Sequence, residues 1–375
     1  MNLLWLFKSK STTMKNKHDK KGNEDEDSIY ALDHALLNIP LPPPTMWMNM
    51  GYWKNATDFP TACAALLDQV LATAGLVGED GSPVPHDNGK RLRLLDVGIG
   101  CGDQSLRCLG YRRGIPGSTS GSGNADVSAA VKYEDEKKTV EDKPLFDSYT
   151  GITSIPVQAK YAAQRLNQES KSSGSSRGEI FCADAANPAS WSEELTASID
   201  SPSPSPSPSP STSQSAPGES EDPKKEGNDE NWLLALDTLY HFTPSRKPLF
   251  SYTRHTLCGS LMAFDLVLSP TATFLQKLLL RILCLFAGTP FTNFITETEY
   301  ISLLVSAGYE EEKIVVKDIS GHVFSGISGY IRDRDEVLKT YRMSKGMGKF
   351  RGAGKLFGWW ARSGVVRGVV VVARV

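Results

Sequence analysis

"LLDVGIGCGDQ", residues 94–104, decides the reading of this chain. An apolar run ends on Asp96, and glycines follow at alternate positions: Gly98, Gly100 and Gly102. Glycine accepts a left-handed backbone and lets a ligand approach the main chain closely. A glycine turn between a strand and a helix therefore marks a nucleotide site, and its spacing narrows the nucleotide. A dinucleotide turn, G-x-G-x-x-G, would carry its third glycine where Asp103 stands. Here the third glycine comes one residue early, and nothing is poised for a pyrophosphate. The Asp96 carboxylate suits a ligand with a cationic amine. A tight turn that holds no ligand stays open on this stretch alone.

Working outward, "RLRLLDVG" (91–98) reads as a buried strand, and "DQSLRCLGYRRG" (103–114) opens a helix. Residues 56–76 carry helical apolar spacing that closes on Gly75. Further strands are read in "SYTGIT" (148–153), "GEIFCADA" (178–185), "NWLLALDTLYHF" with its exit loop (231–242), "GSLMAFDLVL" (259–268) and "EKIVVKDIS" (312–320). The β-branched run "VVRGVVVVARV" (365–375) is a buried seventh strand. Helices fall between them at 156–170, with Pro156 in the first turn, and at 244–257, 271–287 and 296–309. The last is expected to start on a Thr296 cap and stop at Gly308. Strands alternating with helices imply an α/β, doubly wound, mostly parallel sheet of seven strands. Such sheets bind ligands beyond the carboxyl ends of their strands. The glycine turn and the Thr153, Asp184 and Asp237–Phe242 loops should therefore converge.

With 375 residues, 40% of them hydrophobic, the chain can bury a sizeable core. Its formal charge of −2 gives no general reason to expect nucleic acid. Six scattered cysteines, with no CxxC pair, fit a reducing compartment, so a cytoplasmic location is expected. The histidines show no ligand spacing, and no metal is expected. Residues 1–28 read as a disordered tail, since their apolar start precedes the lysines, the reverse of a signal peptide. Residues 29–375 read as one domain with low-complexity, disordered insertions at about 114–144 and 200–230, the second containing "SPSPSPSPSP".

Several of these stretches resemble one family. "LLDVGIGCGDQSL" resembles the first motif of class I S-adenosylmethionine-dependent methyltransferases, whose cofactor has an ammonium and a sulfonium but no phosphate. "GITSIPVQAKYAAQRL" is similar to the branch holding cyclopropane fatty acid synthases and the tocopherol, sterol and phosphoethanolamine methyltransferases. "FCADAANP", "LALDTLYHF", "TLCGSLMAFDLVLS", "MWMNMGYWKNA" and "GWWARSGVVRGVVVVAR" resemble later and flanking parts of that branch, in order. The resemblance implies a Rossmann-like sheet and S-adenosyl-L-methionine as cofactor. It implies that Asp96, Gly98, Gly100 and Gly102 line the methionine and ribose, with Asp237 nearby. Asp184 and Ala185 would meet the adenine, and Tyr52 and Trp53 would close over the cofactor. Most class I enzymes end the second strand on an acidic residue that takes the ribose hydroxyls. Here Thr153, Ser154 and Gln158 stand there, with weaker hydrogen bonds.

On the acceptor side, the resemblance implies a small, lipophilic acceptor meeting Tyr240 and His241. His241 is either the base that removes an acceptor proton or a wall of the pocket. Residues 273–288 are apolar on nearly all sides, with Lys277 and Arg281 one turn apart. They read either as a lid over the acceptor that also touches a membrane surface or as a core helix. The segment is too short for the ~20 apolar residues of a bilayer span. From Val337 onward there are nine Lys or Arg and no Asp or Glu, which fits a solvated basic face or anionic headgroups better than nucleic acid. Two alternatives remain. A protein or RNA methyltransferase would favour "NPPY" or "DPPY" after the fourth strand, which "DTLYHF" lacks. A non-catalytic scaffold could keep the fold and the cofactor site alone.

Overall fold

The computed structural model describes residues 32–86, 90–114, 143–173, 178–200 and 229–375. The expected N-terminal tail and nearly all of both expected insertions lie outside these residues. In chain order come α1 (Phe59–Thr73), β1 (Arg91–Val97), α2 (Asp103–Gly110), β2 (Ser148–Thr153), α3 (Pro156–Ser173), β3 (Gly178–Cys182), α4 (Glu193–Asp200) and β4 (Asp229–Leu236). Then follow α5 (Lys247–His255), β5 (Ser260–Leu268), α6 (Phe274–Ala287), α7 (Glu297–Ser306), β6 (Ile314–Asp318), α8 (Phe324–Thr340), α9 (Gly348–Ser363) and β7 (Val366–Ala373).

The seven strands form one sheet in the order β3-β2-β1-β4-β5-β7-β6. Pairs from β3 to β5 are parallel, and β7 runs antiparallel between β5 and β6. Side chains alternate between the faces of a strand. Leu94 accordingly joins the core under α1, α8 and α9, whereas its neighbour Leu95 joins the core under α4, α5 and α7. A sheet covered on both faces needs unbroken apolar strands, which is why β5 and β7 show no polar alternation.

Local chemistry sets the helix ends. Asp58 caps α1 by accepting from the Thr61 amide. Thr296 and Glu299 form the reciprocal box expected at the start of α7, and Gly308 ends that turn at φ +101°. Two helices escape the sequence reading. In α4 only Leu195 and Ile199 are buried, too short a stripe to show periodicity. In α8 the apolar stripe Phe324, Ile327, Ile331 is present but interrupted by glycines and serines. Close packing uses small residues on both helices: a Cβ on Gly354 of α9 would meet Ile331 at 3.1 Å, Ser328 Oγ of α8 donates to the Gly354 carbonyl at 2.8 Å, and a Cβ on Gly326 of α8 would strike Trp53. Helix α9 therefore begins well before the expected "FGWWARSG".

Helix α6 matches neither expectation fully. Only Leu280, Cys284 and Ala287 are buried, and Phe274, Leu275, Leu278, Leu279, Ile282, Leu285 and Phe286 are exposed. It is not a core helix. A large apolar face is turned outward instead.

Gly102 illustrates how the fold constrains the glycine turn. It sits at φ +90°, and a Cβ would fall 2.9 Å from the Ala162 Cβ and 3.0 Å from its Cα on α3. Gly102→Ala should cost about 2 kcal/mol or more, combining left-handed strain with overpacking. The check is a urea titration beside Gly110→Ala, where a Cβ meets open space. Gly102→Ala should lower the midpoint, and Gly110→Ala should leave it nearly unchanged. Equal midpoints would contradict the packing role.

Candidate functional site

A cavity of about 860 Å³ opens across the carboxyl ends of β1, β2, β3 and β4. This lies near the top of the ~300–1,000 Å³ range of small-molecule sites, so it can take a cofactor and an acceptor together. The four loops expected to converge do so. Gly98 and Gly100, Thr153 to Ile155 with Gln158, Ala183 to Ala186, and Leu236 to Thr243 all line it. Residues 45–50 form a strap along one side, and α8 and α9 form the roof.

The three glycines have three different reasons. All have positive φ. A Cβ on Gly98 would strike Thr238 at 2.6–2.8 Å, so this glycine lets the β1 and β4 exits meet. Gly100 faces the cavity, where only the Met48 sulfur comes within 3.0 Å. Gly102, packed on α3, does not line the cavity.

Asp96 does not reach the cavity either. It is 0% exposed, with Oδ2 accepting from the Tyr149 hydroxyl at 2.7 Å and Oδ1 from Gln104 Nε2. Burial raises its carboxyl to about 7. It ties β1 to β2 and α2 beneath the glycine turn, and so positions that turn. The expectation that Asp96 meets the ligand amine is corrected on this geometry: both of its oxygens are engaged inside the protein.

Asp237 lines the cavity, as do Asp103 and Asp184. Asp237 ends β4 with φ +60°, an uncommon conformation for a non-glycine residue. Its Oδ2 accepts from the Met50 amide at 2.9 Å, and the Tyr240 hydroxyl bonds to the same carboxyl. Its Oδ1 is buried with no partner among the described residues. Burial raises the group to about 7. An orphaned buried acceptor calls for a donor, and a ligand ammonium supplies one.

Tyr52 and Trp53 are not on the cavity lining. The Trp53 amide donates to the His322 carbonyl, its indole donates to the Met50 carbonyl, and its ring packs on Tyr330 and Phe59. Tyr52 meets the His322 ring edge-on at 5.2 Å. Both brace the strap instead of closing over a ligand. The residues that close it come just before them and were missed. The Met46 amide donates to Asp103 Oδ2 at 2.9 Å, and Asp103 is held by a bidentate pair with Arg165. Two carboxylates, Asp103 and Asp237, thus pin the two ends of the strap.

On the side expected for ribose and adenine, Thr153 Oγ1 donates to Gln158 Oε1 at 3.0 Å, and Ser154 is exposed beside them. Asp184 is exposed on the lining, its Oδ1 accepting from the Ala186 amide at 2.9 Å, with Ala185 buried next to it. No acidic residue stands at the end of β2.

Tyr240 and His241 both line the cavity, but their roles separate. The Tyr240 hydroxyl goes to Asp237, and burial beside that carboxyl pushes its pKa well up, so it is a protonated donor. His241 Nδ1 lies 3.4 Å from Thr289 Oγ1, while Nε2 is buried with no partner among the described residues. Burial lowers its pKa to about 3, so the ring is neutral near pH 7. In the tautomer that carries its proton on Nδ1, toward Thr289, Nε2 would present a lone pair. Asn293 holds this turn, donating to the carbonyls of Tyr240 at 3.1 Å and Phe242 at 2.6 Å. Asn293 is itself fixed through its carbonyl by Arg246, which pairs with Asp265. Nothing in local sequence flags Asn293 or Thr289, since both come from the segment after α6. That helix contributes nothing to the lining of the large cavity, so the lid expected at 273–288 is instead α8 and α9.

No protein-family model matches the chain, and comparison with curated proteins finds no match. Solved structures do match. The mycolic acid cyclopropane synthase CmaA1, complexed with SAH and CTAB, is 12% identical, with a TM-score of 0.50 over 88% of this chain and 90% of that one. The 4+2 cyclase SpnF is 16% identical, with a TM-score of 0.47 over 92% and 91%. The cyclopropane synthase MmaA2 from Mycobacterium tuberculosis is 13% identical, with a TM-score of 0.48 over 86% and 89%. The chain has the class I S-adenosylmethionine-dependent methyltransferase fold, as the glycine motif led us to expect.

Proposed function

We propose that this chain is an S-adenosylmethionine-dependent methyltransferase acting on a small, lipophilic acceptor. The observation that carries the reading is Asp237, which shares a cavity lining with Gly98 and Gly100 under an apolar roof and whose buried Oδ1 has no partner among the described residues. When bound, S-adenosylmethionine supplies an electrophilic methyl group on a sulfonium. Asp237 would hold its ammonium, and the Gly98 and Gly100 backbone would lie along its amino-acid part. Thr153, Ser154 and Gln158 would meet the ribose, and Asp184 with Ala185 the adenine. Asp96 and Gly102 shape the loop without touching the ligand.

The acceptor would lie between His241 and the roof. A methyl sulfonium needs an in-line nucleophile held close, and positioning alone supplies much of the acceleration. His241 Nε2 accepts a hydrogen bond from an acceptor N–H or O–H and aims its lone pair. A ring with a pKa of about 3 is a weak base, so orientation is its main part. CmaA1 was solved in complex with SAH and CTAB, and the long alkyl chain of the latter, though not its cationic head, agrees with an apolar acceptor body here.

Peripheral contact with an anionic membrane surface belongs to the same reading. Helix α6 is 14 residues long, and no described helix is long and apolar enough to cross a bilayer. Arg281 is exposed at the edge of its outward apolar face, Lys277 is half-buried on the packed side near Glu299, and no acidic residue occurs from 266 to 296. A self-paired dimer through this face would set cation against cation, whereas an interfacial helix uses that arrangement.

Three outcomes are expected. Asp237→Asn should weaken S-adenosylhomocysteine, which has the same ammonium, by about tenfold or more in calorimetry, the worth of a charge-assisted hydrogen bond. The parent should bind it more tightly at pH 8 than at pH 6. Below about 7 the Asp237 carboxyl is protonated in the free protein and cannot pair with a cation. The asparagine variant should lose that dependence, and a flat parent profile would overturn the assignment. His241→Ala should lower turnover about 100-fold, the scale of a positioning defect, with S-adenosylhomocysteine affinity nearly unchanged. Loss of that affinity in a folded variant would place His241 on the cofactor side. In co-sedimentation, anionic vesicles should retain the parent at low salt and release it as salt rises. Leu275→Glu/Leu285→Glu, at exposed positions, should abolish retention without unfolding. Concentration-dependent dimerisation without vesicle binding would assign the face to a second copy instead.

A further inference from the structure

The roof of the cavity is apolar except at one point. Helix α8 presents Ile327, Tyr330, Ile331 and Arg334 to it, and α9 presents Phe350, Ala353 and Phe357. Arg334 is the single charged residue that these two helices contribute. It is exposed and makes no ion pair among the described residues. The carboxylates near it in sequence are engaged elsewhere. Asp333 pairs with Arg332, Asp335 with Arg351 and Lys339, and Glu336 with Lys339. Spacing at 327, 331 and 334 puts the guanidinium on the same helix face as the two isoleucines, one turn beyond them. The roof is therefore an apolar track with one cation that has no ion-pair partner among the described residues.

We infer that the acceptor is an anionic amphiphile: an apolar body lying along α8 and α9, with a carboxylate or phosphate held by Arg334. A planar guanidinium offers paired donors to either group, which a lysine would not match. A neutral lipophile would leave this cation unused. A cationic one would be repelled by it. Anchoring the acid end at Arg334 would also orient the molecule in the cavity that His241 lines. The inference rests on the methyltransferase reading for the acceptor's role, but Arg334 and its track can be tested without turnover.

The test is equilibrium binding of four twelve-carbon probes, each below its micelle concentration, to the full chain. Trp47 on the cavity lining provides a fluorescence signal. The probes are dodecanoate, dodecyl phosphate, dodecanol and dodecyltrimethylammonium. The parent should bind one or both anionic probes about tenfold more tightly than the trimethylammonium probe, the scale of one charged hydrogen bond. Which anion binds better separates a carboxylate acceptor from a phosphate one. Arg334→Gln should erase the preference and leave dodecanol binding unchanged, and Arg334→Lys should restore it only in part. Any attraction to α6 is common to all three proteins and drops out of the comparison. A parent with no preference for anions, or a glutamine variant that keeps it, overturns the inference. S-adenosylhomocysteine calorimetry on the same samples separates the two readings. Cofactor binding without anion preference removes only the acceptor assignment, and anion preference without cofactor binding removes only the methyltransferase.

Discussion

The architecture of the site depends on one carboxylate in an unusual place. Asp237 leaves β4 in a left-handed conformation, a strain on the order of 1–3 kcal/mol that surrounding structure must hold. The Met50 amide and the Tyr240 hydroxyl hold it. One oxygen is thereby spent on the strap and the other is left without a donor among the described residues. The same turn carries His241, whose Nε2 is likewise unpartnered. Two buried side-chain atoms without partners among the described residues therefore belong to cavity-lining residues four apart in one turn, and the proposed roles are a cofactor ammonium for the first and an acceptor hydrogen for the second. Asn293, fixed by the buried Arg246–Asp265 pair, keeps both in register. Such a pair is weak evidence for stability in general, but here it secures the backbone that presents the chemistry.

Much of this was legible in the residues. Apolar runs bounded by turn residues marked the seven strands, because strands buried on both faces cannot hide their composition. The early third glycine excluded a dinucleotide turn. The rule that ligands gather beyond the carboxyl ends of parallel strands predicts from sequence that four loops converge. Thr296 and Gly308 marked α7 because capping depends on residues within one turn.

What was not legible depends on partners distant in sequence. Asp96 and Asp237 look equally suited to an amine. Only the packing of Tyr149 and Gln104 shows that the first is fully bonded internally. Gly102 resembles Gly100 until Ala162 is seen against it. Tyr52 and Trp53 carry the family-like aromatic signal, yet the segment just before them lines the cavity, because His322, before α8, takes the Tyr52 ring and Tyr330 of α8 takes that of Trp53. Helix α8 was itself hidden by its glycines and serines, of which Ser328 bonds to α9 and Gly326 makes room for Trp53. The apolar composition of α6 suggested a lid or a core helix. Its contacts make it an outward face, and composition alone cannot tell a buried apolar helix from an exposed one.

The central claim is that the glycine turn takes a phosphate-free nucleoside with a cationic amine. Isothermal titration of the full chain with S-adenosylhomocysteine, NAD and ATP in parallel tests it most directly. The account predicts saturable binding of S-adenosylhomocysteine at one site per chain, with proton release near pH 7 as Asp237 ionises, and no saturable heat from NAD or ATP. Binding of NAD or ATP with S-adenosylhomocysteine silent would contradict it.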